Sequence, residues 1–192
     1  MLVIGITGTL GAGKGTIVKY LTSSKGFKHY SVRNFLVKEL KKRNRKVNRD
    51  TMTSLANELR AAHSPSYITD KLYEKALQSK HDAVIESIRT PGEVLSLRDK
   101  SAFTLFAVDA MPEIRFKRIL ARKSETDAVS WETFCHNEKR EMDSEDPNKQ
   151  NLKKCIEMSD YLFQNNGSIE DLYLEVEKVL AKILRHGTKI RN

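Results

Sequence analysis

Long apolar runs are missing from this 192-residue chain. Its most apolar N-terminal stretch, Leu2 to Ile6, is far shorter than a signal core or a membrane span, so a cytoplasmic protein without a membrane partner is expected. Cysteine is nearly absent as well. The two present, Cys135 and Cys155, form no C-x-x-C, and no histidines pair at ligand spacing, which argues against a zinc site and against a disulfide scaffold. His29, His63, His81, His136 and His186 are scattered and read as structural or exposed groups. The chain holds four prolines and shows no Pro/Gly/Ser-rich linker, internal repeat or low-complexity tract. A single domain over residues 1–192 is the expectation, because this length suits one well-packed core.

Positive charge, in contrast, is abundant. Thirty-four Lys+Arg against 25 Asp+Glu leave a formal net charge of +9, which favours anionic partners: nucleotides, phosphorylated metabolites or nucleic acid. Part of it is concentrated in "KELKKRNRKVNR", Lys38 to Arg49, either a solvated helix face running into a loop or a surface turned toward an anion.

Apolar runs of strand length occur at Leu2 to Thr7, Ala83 to Glu86, Phe103 to Asp109 and Tyr161 to Gln164, with a shorter one at Phe27 to Ser31. Between them lie stretches of helical periodicity at 14–23, 32–46, 51–62, 66–78, 91–97, 112–123, 131–142, 149–157 and 169–185. Short buried strands alternating with helices predict an α/β fold: a five-stranded parallel sheet covered on both faces. Ser168 followed by Asp171 marks a capping box at the start of the last helix, and the glycine of "HGTKIRN" is expected to stop it.

Glycine is sparse except at one place. "GTLGAGKGT", Gly8 to Thr16, places four glycines between the first strand and the first helix. This is G-x-x-x-x-G-K in the context it requires, a strand before and a helix after. Glycines there let successive backbone N–H groups face one concavity, to which the helix adds the positive end of its dipole. Gly8, Gly11, Ala12, Gly13, Lys14, Gly15 and Thr16 are therefore candidate ATP-binding residues. Lys14 would reach the β- and γ-phosphates, and the Thr16 hydroxyl would serve Mg2+.

Because Gly15 follows Lys14 directly and the hydroxyl comes one residue later, the loop resembles the P-loop of nucleoside monophosphate kinases, adenylate kinase among them. Further stretches carry the resemblance along nearly the whole chain. "VIESIRTPGEVLSLR" falls where such kinases keep an acid near the metal and an arginine on the acceptor phosphate, which implies Glu86 as a metal residue and Arg89 as the clamp. An ordinary Glu86–Arg89 ion pair is the alternative. "FAVDAMPEIRFKRILARK" sets Arg115, Arg118 and Arg122 on one helical face leading into a lid, expected at about 115–142 and including "KSETDAVSW". The resemblance implies catalytic roles for Arg118 and Arg122 beside Lys14 and Arg89, with Lys139 and Arg140 as further lid cations. "SDYLFQNNGSIEDL" resembles the turn that holds adenine, implying Asn166 and Gly167, for which a positive-φ turn is expected.

Acceptor binding is expected in a helical insert at about 32–80, through Arg33 and Arg60 with Arg89. The order of these stretches is most similar to an uncharacterised, mostly archaeal group of adenylate-kinase-like and dephospho-coenzyme A kinase-like proteins. The resemblance implies a P-loop three-layer sandwich and an ATP- and Mg2+-dependent phosphotransferase acting on a nucleoside or deoxynucleoside monophosphate. Dephospho-coenzyme A is the alternative acceptor. An ATP-binding, RNA-associated or regulatory module with slow hydrolysis is the alternative of another class, motivated by the basic 38–49 segment. Monomer and homodimer are both open.

Overall fold

The computed structural model describes residues 1–122 and 130–189, with side chains as far as residue 185. Most of the expected lid stretch "KSETDAVSW" lies outside the described residues. Among them the order is β1 (Leu2–Gly8), α1 (Lys14–Lys25), β2 (Lys28–Ser31), α2 (Val32–Lys42), α3 (Arg49–Ala62), α4 (Tyr67–Ser79) and β3 (Ala83–Glu86). Then come α5 (Pro91–Lys100), β4 (Ala102–Asp109), α6 (Pro112–Arg122), α7 (Trp131–Met142), α8 (Leu152–Glu157), β5 (Tyr161–Gln164) and α9 (Ile169–Lys189). The strands form one parallel sheet in the order β2-β3-β1-β4-β5. None of the described helices is long and apolar enough to cross a membrane.

Alternation along the central strands creates two cores. Val3, Ile85 and Leu105 face one layer, where they pack with Leu36, Leu40, Leu55, Leu59 and Leu72 of α2 to α4. Ile4, Ile6, Val84, Phe106 and Val108 face the other, against Ile17 and Leu21 of α1 and Leu172, Val176 and Leu180 of α9. Strand residues of period two thus feed opposite faces, and the expected three-layer sandwich is the observed fold. Each fully buried aliphatic side chain contributes roughly 1.5–3 kcal/mol.

Two helix ends differ from expectation by a full turn, more than any of the others. α2 stops at Lys42, four residues early, because Asn44 turns left-handed at φ 53 and Arg45 N–H folds back to Leu40 O at 2.9 Å. α9 continues through Gly187 to Lys189, since an interior glycine costs only about 1 kcal/mol and does not by itself end a helix. Its start is as expected: Ser168 Oγ accepts Asp171 N–H at 3.1 Å while the Asp171 carboxylate accepts Ser168 N–H at 3.2 Å.

Parallel pairing puts the carboxyl ends of β1, β3 and β4 at one edge of the sheet. Ile6 is in register with Glu86 and Gly8 with Val108. The loops leaving these ends bound a crevice, the usual ligand position in such sheets.

Candidate phosphate and acceptor site

One cavity of about 810 Å³ occupies that crevice. This is large enough for a nucleotide and a small second ligand. Its floor is the loop between β1 and α1, with Leu10, Gly11, Gly13, Lys14, Gly15 and Thr16 at the wall.

Gly8 leaves β1 at φ 134, and a Cβ on it would sit 2.0 Å from Val108 O. Gly13, the residue before α1, has φ 113, and a Cβ there would lie 2.3 Å from Asn165 Nδ2. The glycines at these positions thus answer to crowding by the chain as well as to ligand approach. Gly8 and Ala12 do not reach the cavity wall. Gly8 supplies a carbonyl to Lys14, and Ala12, fully buried, has its carbonyl bonded to Asn165 Nδ2 at 2.7 Å.

Lys14 Nζ donates to Gly8 O and Thr9 O, each at 2.7 Å, so the ammonium is folded against the loop it serves. Burial pulls its pKa from 10.5 down to about 7, helped by the Arg89 charge and opposed by Glu86 and Glu141. A polyphosphate placed among these N–H groups would restore the charge that burial disfavours.

β3 delivers the next group. Ser87 adopts φ 73 without being glycine, and the N–H groups of Ser87 and Ile88 both bond Ile6 O, at 2.9 and 3.1 Å. Such a residue stores about 1–3 kcal/mol of strain, and the strained turn separates Glu86 from Arg89 with both on the cavity wall. The two do not pair with each other. Glu86 meets His29 Nε2 at 3.0 Å. Burial alone would raise its pKa, but the His29 hydrogen bond and the charges of His29, Lys14 and Arg89 hold it below the usual carboxylate value. His29 on edge strand β2 is therefore a site neighbour rather than an isolated histidine.

Arg89 is bonded to the Glu141 carboxylate and, at 2.5 Å, to Gln150 Oε1. Arg49 reaches the other Glu141 oxygen at 3.3 Å. Glu141 is 4% exposed. Burial disfavours its charge, yet Arg89 and Arg49 keep it below the usual range, while Glu141 raises the Arg89 pKa against the effect of burial. Glu141 and Gln150 escaped the sequence reading, and Arg49 entered it only as the end of the basic 38–49 segment. The available signal was a second carboxylate in "NEKREM", one helical turn after Glu138.

Of the three arginines expected on one face of α6, Arg115 serves the frame. It is 3% exposed, with Nε bonded to Ala110 O at 2.7 Å and Nη1 bridging to Glu138 of α7 at 2.5 Å. Arg118 and Arg122 do line the cavity. Arg118 donates to Asn165 O at 2.9 Å and Gly167 O at 3.5 Å, which fixes it beside the turn after β5. Lys139 and Arg140 are not on the wall, and Arg140 pairs with Asp50 at 3.0 Å.

Asn166 and Gly167 are not at the cavity wall, and neither has positive φ. Side chains close the turn instead: Asn166 Oδ1 accepts Met111 N–H at 2.8 Å, and Ser168 and Asp171 cap the next helix. The neighbouring Asn165 is the residue that lines the cavity and ties this turn to the P-loop.

At the opposite end, Arg33 lies exposed on the wall, whereas Arg60 is 1% exposed and bonded through Nε and Nη2 to Glu93 Oε1, at 3.3 and 3.0 Å. Arg60 is thus held by an internal carboxylate rather than offered whole to a ligand phosphate. Thr16 and Glu86 are the wall groups suited to a magnesium ion held mainly by phosphate oxygens and water. Among the described residues there is no three-carboxylate or histidine cluster that would hold a metal by itself.

Comparison with known proteins agrees with this layout. A UPF0200 protein of Methanocaldococcus jannaschii is 28% identical over 194 aligned positions, covering all of this chain and 95% of that protein. Among solved structures, a gluconokinase from Sinorhizobium meliloti aligns with TM-score 0.59 and 11% identity over 98% of this chain and 95% of its own. A shikimate kinase from Bacteroides thetaiotaomicron gives TM-score 0.56 and 13% identity, over 94% and 98% respectively. These likenesses show the fold, the α/β sandwich of P-loop kinases. A family model described as an AAA domain, AAA_18, matches residues 4–148, and the chain belongs to that P-loop kinase-like family.

Proposed function

We propose that the protein transfers the γ-phosphoryl group of ATP, with Mg2+, to the phosphate of a nucleoside or deoxynucleoside monophosphate. The observation that carries this reading is the single continuous cavity, with the P-loop and Lys14 at one end, Arg33 at the other and Arg89 between. A donor and an acceptor bound there share one enclosure, so positioning and charge stabilisation do the catalytic work.

Acid–base chemistry narrows the acceptor. A hydroxyl acceptor needs a base to take its proton, whereas a phosphate oxygen is already ionised. Among the described residues on the wall the two carboxylates, Glu86 and Glu141, are both held below the usual range by cationic neighbours, which makes them poor bases. This favours a monophosphate over the hydroxyl of dephospho-coenzyme A. In the transfer, an acceptor phosphate oxygen forms the new bond to Pγ as the bond from Pγ to the β,γ-bridging oxygen breaks, and ADP keeps that electron pair. Lys14, Arg118 and Arg122 would share the charge on the donor side and Arg89 on the acceptor side. Mg2+, held through Thr16, Glu86 and phosphate oxygens, would offset charge on the transferred group.

The test is an acceptor screen with Mg·ATP across ribo- and deoxyribonucleoside monophosphates and dephospho-coenzyme A, reading ADP formation above the hydrolysis background. A monophosphate that raises ADP formation and appears as the diphosphate supports the reading. Hydrolysis without any acceptor product rejects it.

A further inference from the structure

We infer that the Ser87 hydroxyl is an acceptor-binding group, which donates a hydrogen bond to an oxygen of the phosphate clamped by Arg89. The inference rests on the monophosphate reading above and adds a residue to the same cavity.

The backbone singles this residue out. Among the described residues three that are not glycine have positive φ, Asn44, Lys80 and Ser87, and of these Ser87 alone lines the cavity. Glycine adopts such a conformation at no steric cost, whereas a side chain is strained there.

The turn around Ser87 is bonded on every side. The N–H groups of Ser87 and Ile88 share Ile6 O at 2.9 and 3.1 Å, and Ile88 O accepts the Thr7 hydroxyl at 2.8 Å. Arg89 N–H donates to Glu93 Oε2 at 2.7 Å, and Arg89 O accepts Asn151 N–H at 2.8 Å. None of these bonds uses the Ser87 side chain, so a glycine would make them equally well. What serine adds is one hydroxyl.

That hydroxyl has no hydrogen-bond partner among the described residues. It is open rather than enclosed: Ser87 is half-buried, and the enclosed side-chain atoms without a partner are Asn57 Oδ1 and Arg60 Nη1. A side chain kept at a strained backbone position, with no internal bond to show for it, is available to a ligand in the cavity.

The neighbours identify the ligand as an anion. Ser87 lies between Glu86 and Arg89 on the wall, and the charges of Glu86 and Arg89 are both felt at Lys14. An anion drawn between the Lys14 and Arg89 cations therefore comes to the stretch of wall that Ser87 occupies. A base finds its surface elsewhere, on the apolar side chains Val32, Leu36, Met52 and Ala56. The donor's terminal phosphate already has Lys14 and Thr16, whereas the acceptor phosphate has more lone pairs than one guanidinium fills. A hydroxyl supplies the extra donor without adding charge.

The experiment uses inorganic phosphate as the probe, titrated by calorimetry with the P-loop filled by a non-hydrolysable ATP analogue, once with Mg2+ and once with the metal chelated. Ser87→Ala removes the hydroxyl and keeps the strain, and Ser87→Gly removes both. Phosphate affinity should fall about tenfold in each variant, with or without Mg2+, the scale of one hydrogen bond to a charged group. Affinity for the ATP analogue should stay within about twofold, because no bond to the donor is lost. Ser87→Gly should melt about 2–4 °C above Ser87→Ala, since only glycine relieves the backbone. Should one variant not fold, the other decides the binding result alone. Unchanged phosphate affinity in Ser87→Ala overturns the inference, as does a glycine variant that melts below the alanine one. A loss seen only with Mg2+, or only for the ATP analogue, assigns the hydroxyl to the metal or the donor and overturns it too. Turnover of monophosphates with Mg·ATP is read on the same proteins. Weakened phosphate binding without turnover of any monophosphate leaves the inference standing and rejects phosphoryl transfer, whereas turnover indifferent to Ser87→Ala does the reverse.

Discussion

The donor and acceptor ends of the cavity are built on different principles. At the donor end the wall is backbone: glycines at φ 80 and 113, a helix start, and one lysine folded onto the loop's own carbonyls. At the acceptor end it is side chains, and three of the cations there are already answered by internal anions, Arg89 and Arg49 by Glu141 and Arg60 by Glu93. A backbone cradle for a common donor is fixed by local sequence and works before anything binds. An acceptor end assembled from α2, α3, the β3 turn and α7 is tuned by pairs that a ligand must complete or displace. Generic grip at one end and selectivity at the other follow from that contrast.

The sharpest way to break the donor end is Lys14→Ala. Removing the only lysine among the described wall residues takes away a charge at the point where the transferred group gains it, so kcat/KM should fall on the order of 10³-fold. The loop should persist, because its shape is held by glycine geometry and by the Asn165 bond to Ala12 O. The comparison is steady-state ADP formation against a thermal melt of the same variant. Turnover within tenfold of wild type would show that Lys14 is not the donor-side cation.

The same contrast explains what the sequence disclosed. The P-loop is contiguous, so its residue types, order and flanking strand and helix could be read together, as could the alternating cores and the capping box at Ser168. The acceptor end joins residues far apart in the chain. Glu141 meets Arg89 across 52 positions and Arg49 across 92, and Arg60 meets Glu93 across 33. No local pattern announces such pairs. Arg60 and Arg115 show the limit of such patterns: spacing places an arginine on a face, but which neighbour neutralises it depends on packing. Asn165 was missed by one residue, because Asn166-Gly167 suggested a left-handed turn that side-chain bonds made unnecessary.

Glu141→Gln tests whether the acceptor cations are held by a displaceable internal anion. With the carboxylate charge gone from Arg89 and Arg49, affinity for inorganic phosphate and for the acceptor should rise, on the order of tenfold. The ligand-free protein should lose about 3 kcal/mol, because a buried pair is broken from one side. Added phosphate should recover part of that loss in a melt. Phosphate affinity that falls instead would mean Glu141 orients Arg89 for the ligand rather than standing in its place.

A pH series separates the two ends further. With Lys14 at about 7 in the ligand-free protein, a bound triphosphate should raise that value, so binding above pH 7 takes up a proton. Affinity for an ATP analogue should fall as pH rises above 7, by up to about tenfold per unit. Calorimetry in buffers of different ionisation enthalpy reads the proton directly. The ligand-free fold should change in the opposite sense: its lysine pKa lies below the unfolded value of 10.5, the unfolded chain binds more protons between the two, and stability rises over pH 7 to 10.5. The acceptor end should contribute little there, since Glu86 and Glu141 are already ionised.

The smallest effect is expected outside both ends, in the basic segment from Lys38 to Arg49. Arg43 and Arg45 both reach Glu58, at 3.1 and 2.9 Å, and Lys42 reaches Glu39 at 2.7 Å, all at the surface, while Arg49 turns into the cavity. Exposed pairs of this kind add little to stability and are screened by salt. Replacing Arg43 and Arg45 together by serine should leave kcat/KM for the acceptor within about twofold, because neither is on the cavity wall. The same variant tests the RNA-associated alternative, in which Lys/Arg contacts to phosphates would dominate affinity. If wild type binds single-stranded RNA with a steep salt dependence that the double serine variant flattens, the segment is an anion-facing surface and the positive charge serves more than the cavity. Equal, weak binding by both proteins would identify the segment as a solvated helix end whose arginines are matched by Glu58.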